Sequence, residues 1–287
     1  MRIPVLFSLS LLAATLTAQS APVDSSTDFL AGADAHYASR ANNAQGARAN
    51  PAEIDAAIAD YRAASKPSSD AIPVRWRLQR ALFFRAVYCG ENNEGRRKIL
   101  GDARTVGDEA VAKLEAPLKG KSPAARLAAL RAIPEAASLY LWNAAVWGEW
   151  ALAYGKMAAA RQGAAAKIRD LSQTVIDLDP TLEEGGGYRV LGRLHHQSPS
   201  ILFITGWVDH KLAVPLLRKA LAAGPLNRVN RFFLADALLE GDAAARSEAA
   251  TILRLCASDA PRPVLQVEDA EYAARCRARL ASEKLSP

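Results

Sequence analysis

The apolar residues of this chain fall in helical register. Ala213, Leu217 and Ala220 are spaced four and three residues apart, and Ala249, Leu253 and Cys256 repeat that spacing 36 positions later. No run alternates apolar and polar positions convincingly, as a half-buried strand would. Punctuation between the periodic stretches is legible. Asn50-Pro51-Ala52-Glu53 sets a capping side chain, a first-turn proline and an N3 glutamate in order. Ser122-Pro123 repeats the cap and proline, and Ala223-Gly224-Pro225 ends a helix on glycine and then proline. These signals predict an all-α fold of about 12 helices. They lie at 27–41, 51–65, 73–89, 92–115, 123–132, 134–161, 164–178, 186–196, 208–223, 227–240, 243–258 and 268–283. Pro215 marks a late start or a kink in the helix over 208–223.

Both registered segments close on a proline, Pro225 and Pro261, five residues after the last small residue. Small, large, small, then proline resembles the second helix of a tetratricopeptide repeat. Degenerate copies place Ser172 and Val175 before Pro180, and Ala57, Tyr61 and Ala64 before Pro67. Tyr188-Arg189-Val190-Leu191-Gly192 matches the first-helix pattern, and Leu234, Ala235 and Leu238 fill the corresponding places in the next unit. Glycine or alanine lets the two helices of a hairpin approach closely while large residues fill the seam. A hairpin cannot bury its own apolar face, so hairpins stack into a solenoid with a concave side. The expectation is one tetratricopeptide-like domain over 21–287, with hairpins clearest over 164–284.

Composition sharpens this picture. The chain holds 60 alanines in 287 residues, a surplus that suits helices packed through small side chains. Arg2, an apolar run from Ile3 to Ala14, and small residues at Ala18 and Ser20 read as a signal peptide over 1–20. That run is too short to cross a ~30 Å hydrocarbon core, so the mature chain is expected to be periplasmic or secreted. The formal charge of +6 is scattered along helices beside acids, as in Glu94-Gly95-Arg96-Arg97. That is a solvated surface rather than a phosphate track, and no nucleic-acid partner is expected. An oxidising compartment permits disulfides. Cys256 and Cys276 sit on successive helices and can meet; buried thiols in helix seams are the other reading, and Cys89 is left over.

Three segments depart from the alanine background. The stretch from Leu139 to Tyr154 carries Trp142, Trp147 and Trp150, with Trp147, Trp150 and Tyr154 on one helical face. It reads either as a central core helix or as the aromatic lining of an apolar ligand or peptide site. Gly185-Gly186-Gly187 precedes Tyr188 and Arg189; without a phosphate-loop lysine or a preceding strand, it points to a hinge or a close helix approach. The insertion from His196 to Asp209 holds Ile201, Phe203 and Trp207. Such an apolar loop either folds over the neighbouring hairpin or meets a partner. His195, His196 and His210 lack the spacing of a metal or catalytic motif, so no enzymatic activity, metal or cofactor is expected.

The run from Leu139 to Leu239 resembles the T-component (TatT) family of TRAP transporters. The tryptophan helix, the Asp177-to-Pro180 ending, the glycine run through Gly192, Pro199 and Gly206 in the loop, and the helices at 213–225 and 227–238 carry the likeness. The resemblance implies a periplasmic protein that forms homotrimers, docks a substrate-binding protein and holds an apolar or organic-acid ligand. The family's frequent lipidation cysteine is missing here. A general scaffold that binds peptides or envelope proteins in its groove is the alternative. Candidate binding residues are Trp142, Trp147, Trp150, Tyr154, Tyr188, Arg189, Ile201, Phe203 and Trp207.

Overall fold

A computed structural model describes residues 25–65, 72–199 and 205–284. The expected signal peptide, Ile201 and Phe203 lie outside these residues. Among them are thirteen α-helices and no strand. The first two hairpins are α1 (Ser25–Ala38) with α2 (Pro51–Ser65), and α3 (Ile72–Tyr88) with α4 (Asn93–Glu115). A short α5 (Pro123–Arg131) leads to α6 (Ala136–Tyr154), which pairs with α8 (Ala164–Leu178) around a one-turn α7 (Lys156–Arg161). Then α9 (Leu182–Gln197) pairs with α10 (Ala213–Ala223), α11 (Arg228–Leu238) with α12 (Ala243–Ser258), and α13 (Gln266–Ser282) packs on α12 and α11.

The caps explain the boundaries. Asn50 Oδ1 accepts the Ala52 amide at 2.9 Å and Ser122 Oγ accepts that of Ala125 at 3.3 Å; both prolines sit in the first turn as expected. Two expected spans need correction. The single helix over 134–161 is two, because Gly155 at φ 88° is left-handed and breaks it. The helix over 208–223 starts at Ala213 after a 3₁₀ turn at His210–Leu212, which puts Pro215 in the first turn, where no helical bond is lost.

The seams follow the repeat register. Ala213, Leu217, Ala220, Ala249, Leu253 and Cys256 are buried, as are Ala57, Tyr61, Ala64, Ser172 and Val175. Glycine fixes the closest approaches. A Cβ at Gly192 would stand 2.8 Å from Leu217 Cγ, and one at Gly187 would stand 2.9 Å from Ile176 Cγ1. The glycine run is thus a close approach of α9 to its neighbours, not a hinge.

The stack closes on itself. Arg40, just after α1, reaches the far end of the chain: its Nη2 donates to Glu268 Oε1 at 2.7 Å and to the Val264 carbonyl at 2.7 Å. Its guanidinium also lies 4.5 Å from the centroid of Tyr37. Val267 of α13 is buried in the same apolar cluster as Tyr37, Phe84 and Tyr88. The last helix is tied in turn to α12 by a disulfide between Cys256 and Cys276, Cα–Cα 6.2 Å, which resolves the two readings of these cysteines; Cys89 is free and buried.

Two outcomes are expected in chemical denaturation. Arg40→Ala strands Glu268 without its cation and lowers stability by about 3 kcal/mol, the usual cost of breaking a buried pair; an unchanged midpoint would mean that other contacts hold the ends. The double replacement of Cys256 and Cys276 by alanine opens a cross-link of sequence separation 20, worth about 3 kcal/mol for a loop of that size.

Candidate functional site

Side chains of α3, α6, α9, α11 and α13 lie near one another on the inner side of the stack. Tyr272 on α13 lies in the field of Glu149 on α6 and of Arg189 and Arg193 on α9. Tyr88 on α3 lies in the field of Tyr272, Glu268 and Glu149. Phe232 and Phe233 of α11 pack edge-on to Tyr272 at 5.7 and 6.0 Å between centroids. The Arg193 guanidinium covers Phe233 at 4.6 Å and donates to Asp236 at 2.6 Å. Burial raises the pKa of the Tyr88 and Tyr272 hydroxyls and lowers that of Arg189, whose charge is favoured in return by Glu183, Tyr272 and Glu184. Tyr88 and Tyr272 are themselves buried, at 8% and 7% exposure, so the groups left half-exposed beside them are Arg189 and Arg193 of α9 and Phe233 of α11.

Among the described candidates, Arg189 is the one that borders this interior. Its Nη1 donates to the Glu183 carbonyl at 3.1 Å and to Asn230 Oδ1 at 3.0 Å. Glu183, Glu184 and Gly185 are all left-handed, at φ 50°, 58° and 80°, so regular helix begins at Gly186, as the sequence pattern expects. Two non-glycine residues in that region cost about 1–2 kcal/mol each. They are held by Glu184, whose carboxylate receives Arg262 at 2.8 Å and whose carbonyl receives Asn230 Nδ2 at 2.9 Å. Gly185 is required by a second constraint, since a Cβ there would stand 2.9 Å from Ala220 Cα. The turn leaves the Glu183 side chain exposed, in the field of both Arg189 and Tyr37 of α1.

The other candidates sit elsewhere. Trp147 and Trp150 are core residues, 3% and 5% exposed, as the core-helix reading of this stretch expects. The Trp147 indole donates to Asp108 Oδ1 at 2.9 Å, beside a buried bond of Gln79 Nε2 to Asn143 Oδ1, also 2.9 Å. Gly107 makes room for that bond; a Cβ there would meet Gln79 Nε2 at 1.9 Å. Tyr154 stacks on Trp150 at 4.6 Å and is partly exposed. Trp142 is half-buried against Phe83 at 5.6 Å. Tyr188 faces α10, with Lys219 Nζ 5.3 Å from its centroid. The described part of the insertion folds back: Trp207 lies between Arg169, 4.5 Å from its centroid, and the edge of His195 at 5.8 Å. Sequence reasoning missed Tyr88, Phe233, Tyr272 and Glu183. Their shared face depends on closure of the stack, for which no local pattern exists.

Among the described residues no group of three or more His, Cys, Asp or Glu side chains is placed to hold a metal ion, and no helix is long and apolar enough to cross a membrane. No family model matches the chain, and no curated protein matches it. A solved structure described as the TPR2AB-domain:pHSP90 complex of yeast Sti1 overlaps it with a TM-score of 0.30 at 12% identity, covering 88% of this chain and 96% of that chain. The assignment to tetratricopeptide-like hairpins rests on the helix pairing and seams described above.

His195 gives a pH prediction. Its Nδ1 accepts the Asp209 amide at 3.1 Å, and burial holds its pKa below the usual histidine value. The unfolded chain binds that proton more readily, so this stabilisation is complete above about pH 6.5 and is lost as pH falls through the lower folded value. Thermal melts between pH 7 and 5 should show a steeper loss for the parent than for His195→Asn, which keeps an acceptor but does not titrate. Parallel curves would remove His195 as the cause.

Proposed function

We propose that this chain is an exported, non-enzymatic interaction protein that binds a segment of a partner protein on the inner face of its closed helical stack. One observation carries the reading: the half-buried Arg193 of α9 lies over the half-buried Phe233 of α11, which packs edge-on to Tyr272 of α13, with Arg189 one turn away on α9. Tyrosine and arginine are enriched at interface hot spots, because each joins a large contact area to a polar tip. The apolar segment at the N-terminus and the Cys256–Cys276 disulfide both support export.

The resemblance to the TatT family supports a narrower form, in which a trimer docks a periplasmic substrate-binding protein of TRAP-type uptake and holds an apolar or organic-acid ligand. The tryptophan helix and the glycine run are the observations behind it. Their roles in core packing and close helix approach supply no docking surface, so the broader reading is preferred.

Site-specific photocrosslinking tests it. A benzophenone side chain at Phe233, on the inner face, should yield a discrete adduct in the native envelope, while one at Leu255, exposed on α12, should not. Equal labelling at both positions would overturn the reading. An adduct that contains a solute-binding protein would establish the narrower form.

A further inference from the structure

The joint between the two ends of the stack is built differently from the joints within it. Between neighbouring hairpins the seams are long and apolar. Leu217, Leu234, Leu253 and Leu280 share one buried cluster with Cys256 and Cys276, whose disulfide holds α13 to α12. The end joint is short. Among the described residues, the hydrogen bonds between the end of α1 and the start of α13 come from Arg40, which donates to Glu268 Oε1 and to the Val264 carbonyl, each at 2.7 Å. On the α13 side, its apolar part is Val267, buried in one cluster with Tyr37, Phe84 and Tyr88.

Two clefts interrupt the packing there. One, of about 370 Å³, lies among Tyr37, Arg40, Trp76, Arg80 and Val264. The other, of about 300 Å³, lies between Gly46 and Ala47, in the loop after α1, and Ala270, Ala273 and Ala274 of α13. The closed joint also leaves polar atoms unsatisfied. Glu268 Oε2 and Arg80 Nε are shut off from solvent and have no hydrogen-bond partner. A polar group that gives up water without a replacement costs free energy, so burial of both weakens the joint.

The rest of the fold does not need this contact, because each hairpin of a helical-repeat stack leans only on its neighbours. Parting the ends breaks the Arg40 bonds and uncovers Val267. The helix pairs and the disulfide stay as they are, and water reaches Glu268 Oε2 and Arg80 Nε. The closed form, by contrast, holds α13 near α6, with Tyr272 and Arg275 both in the field of Glu149. It also buries Tyr88 and Tyr272, so an incoming segment reaches those rings only when the ends part.

We propose that the stack is a clasp: its ends part at the joint between Arg40 and α13, and the open form admits the partner segment to the inner face. What enters rests on the interaction reading above; the motion rests on the joint alone.

Double electron–electron resonance on the full mature chain tests the motion. Nitroxides are attached to p-acetylphenylalanine, which leaves the native cysteines untouched. One pair, at Ala35 of α1 and Ala278 of α13, reports on the ends; a second, at Leu255 of α12 and Ala278, reports on the disulfide-tied helices, and all three positions are exposed. The end pair should show a major closed distance and a minor one at least ~10 Å longer, about one helix diameter. The minor state should hold about 10% of molecules, the upper end of the usual range for a second conformer. Glu268→Ala should make the longer distance the major one and leave the Leu255–Ala278 distance unchanged. The Phe233 photo-adduct should rise with it. If Glu268→Ala loses its helical circular dichroism, the two distances in the parent decide. A single closed distance in both proteins, or equal broadening of both pairs, would overturn the clasp. Opening with no Phe233 adduct would support the motion and remove the partner reading. An adduct that stays constant as the open population grows would overturn the clasp as the way in.

Discussion

The Arg40 contact with the last helix ties the two ends of this molecule together. An ordinary helical-repeat array has two free ends, and each hairpin depends only on its neighbours. Here one guanidinium joins a side chain and a carbonyl more than two hundred residues away, while Val267 completes an apolar cluster that α1 and α3 begin. The polar contact and the apolar cluster together bring α13 against α1 and α3. The disulfide supports the same joint from the other side, by fixing α13 to the hairpin before it.

A second constraint is the supply of small residues. The hairpins stack because alanine and glycine stand where helices cross most closely, and the large residues between them fill what remains. The tryptophans of α6 obey this economy of space. Trp147 and Trp150 lie between α4 and α6, with the Arg104 guanidinium 4.8 and 4.4 Å from their rings, and the Gln79–Asn143–Asp108 bonds satisfy the polar groups buried beside them. Their aromatic character serves volume and polarity in the core.

What is legible in the sequence is local. Capping asparagines and serines, first-turn prolines and the small–large–small seams each act within one helix or one hairpin, so their spacing survives as a pattern. The position of Pro215 allowed a later start or a kink, and α10 takes the later start. Closure has no such signature: Arg40 and Glu268 are unremarkable members of polar helix ends, and only the curvature of the whole stack brings them together. The candidate interior inherits this opacity, since its residues share no segment. The left-handed pair Glu183 and Glu184 was also unreadable, because a glutamate ordinarily prefers right-handed helix and its conformation here is imposed from outside, by Arg262 and Asn230. A tryptophan-rich helix, by contrast, draws attention in a sequence whether it is buried or exposed, and burial decides the matter only once its neighbours are known.

Closure also sets an order of events in time. The partners of Arg40 lie 224 and 228 residues downstream, and a ribosome adding ~5–20 residues per second takes roughly ten to fifty seconds to supply them. Throughout that interval α1 and α3 have been made but the surface meant for α13 is bare. Contacts so distant in sequence are also slow to find each other after release. Until α13 is in place, Tyr37, Phe84 and Tyr88 lack Val267, the last neighbour of their cluster, and a helper that shields this face would act on the unfinished protein rather than on the finished one.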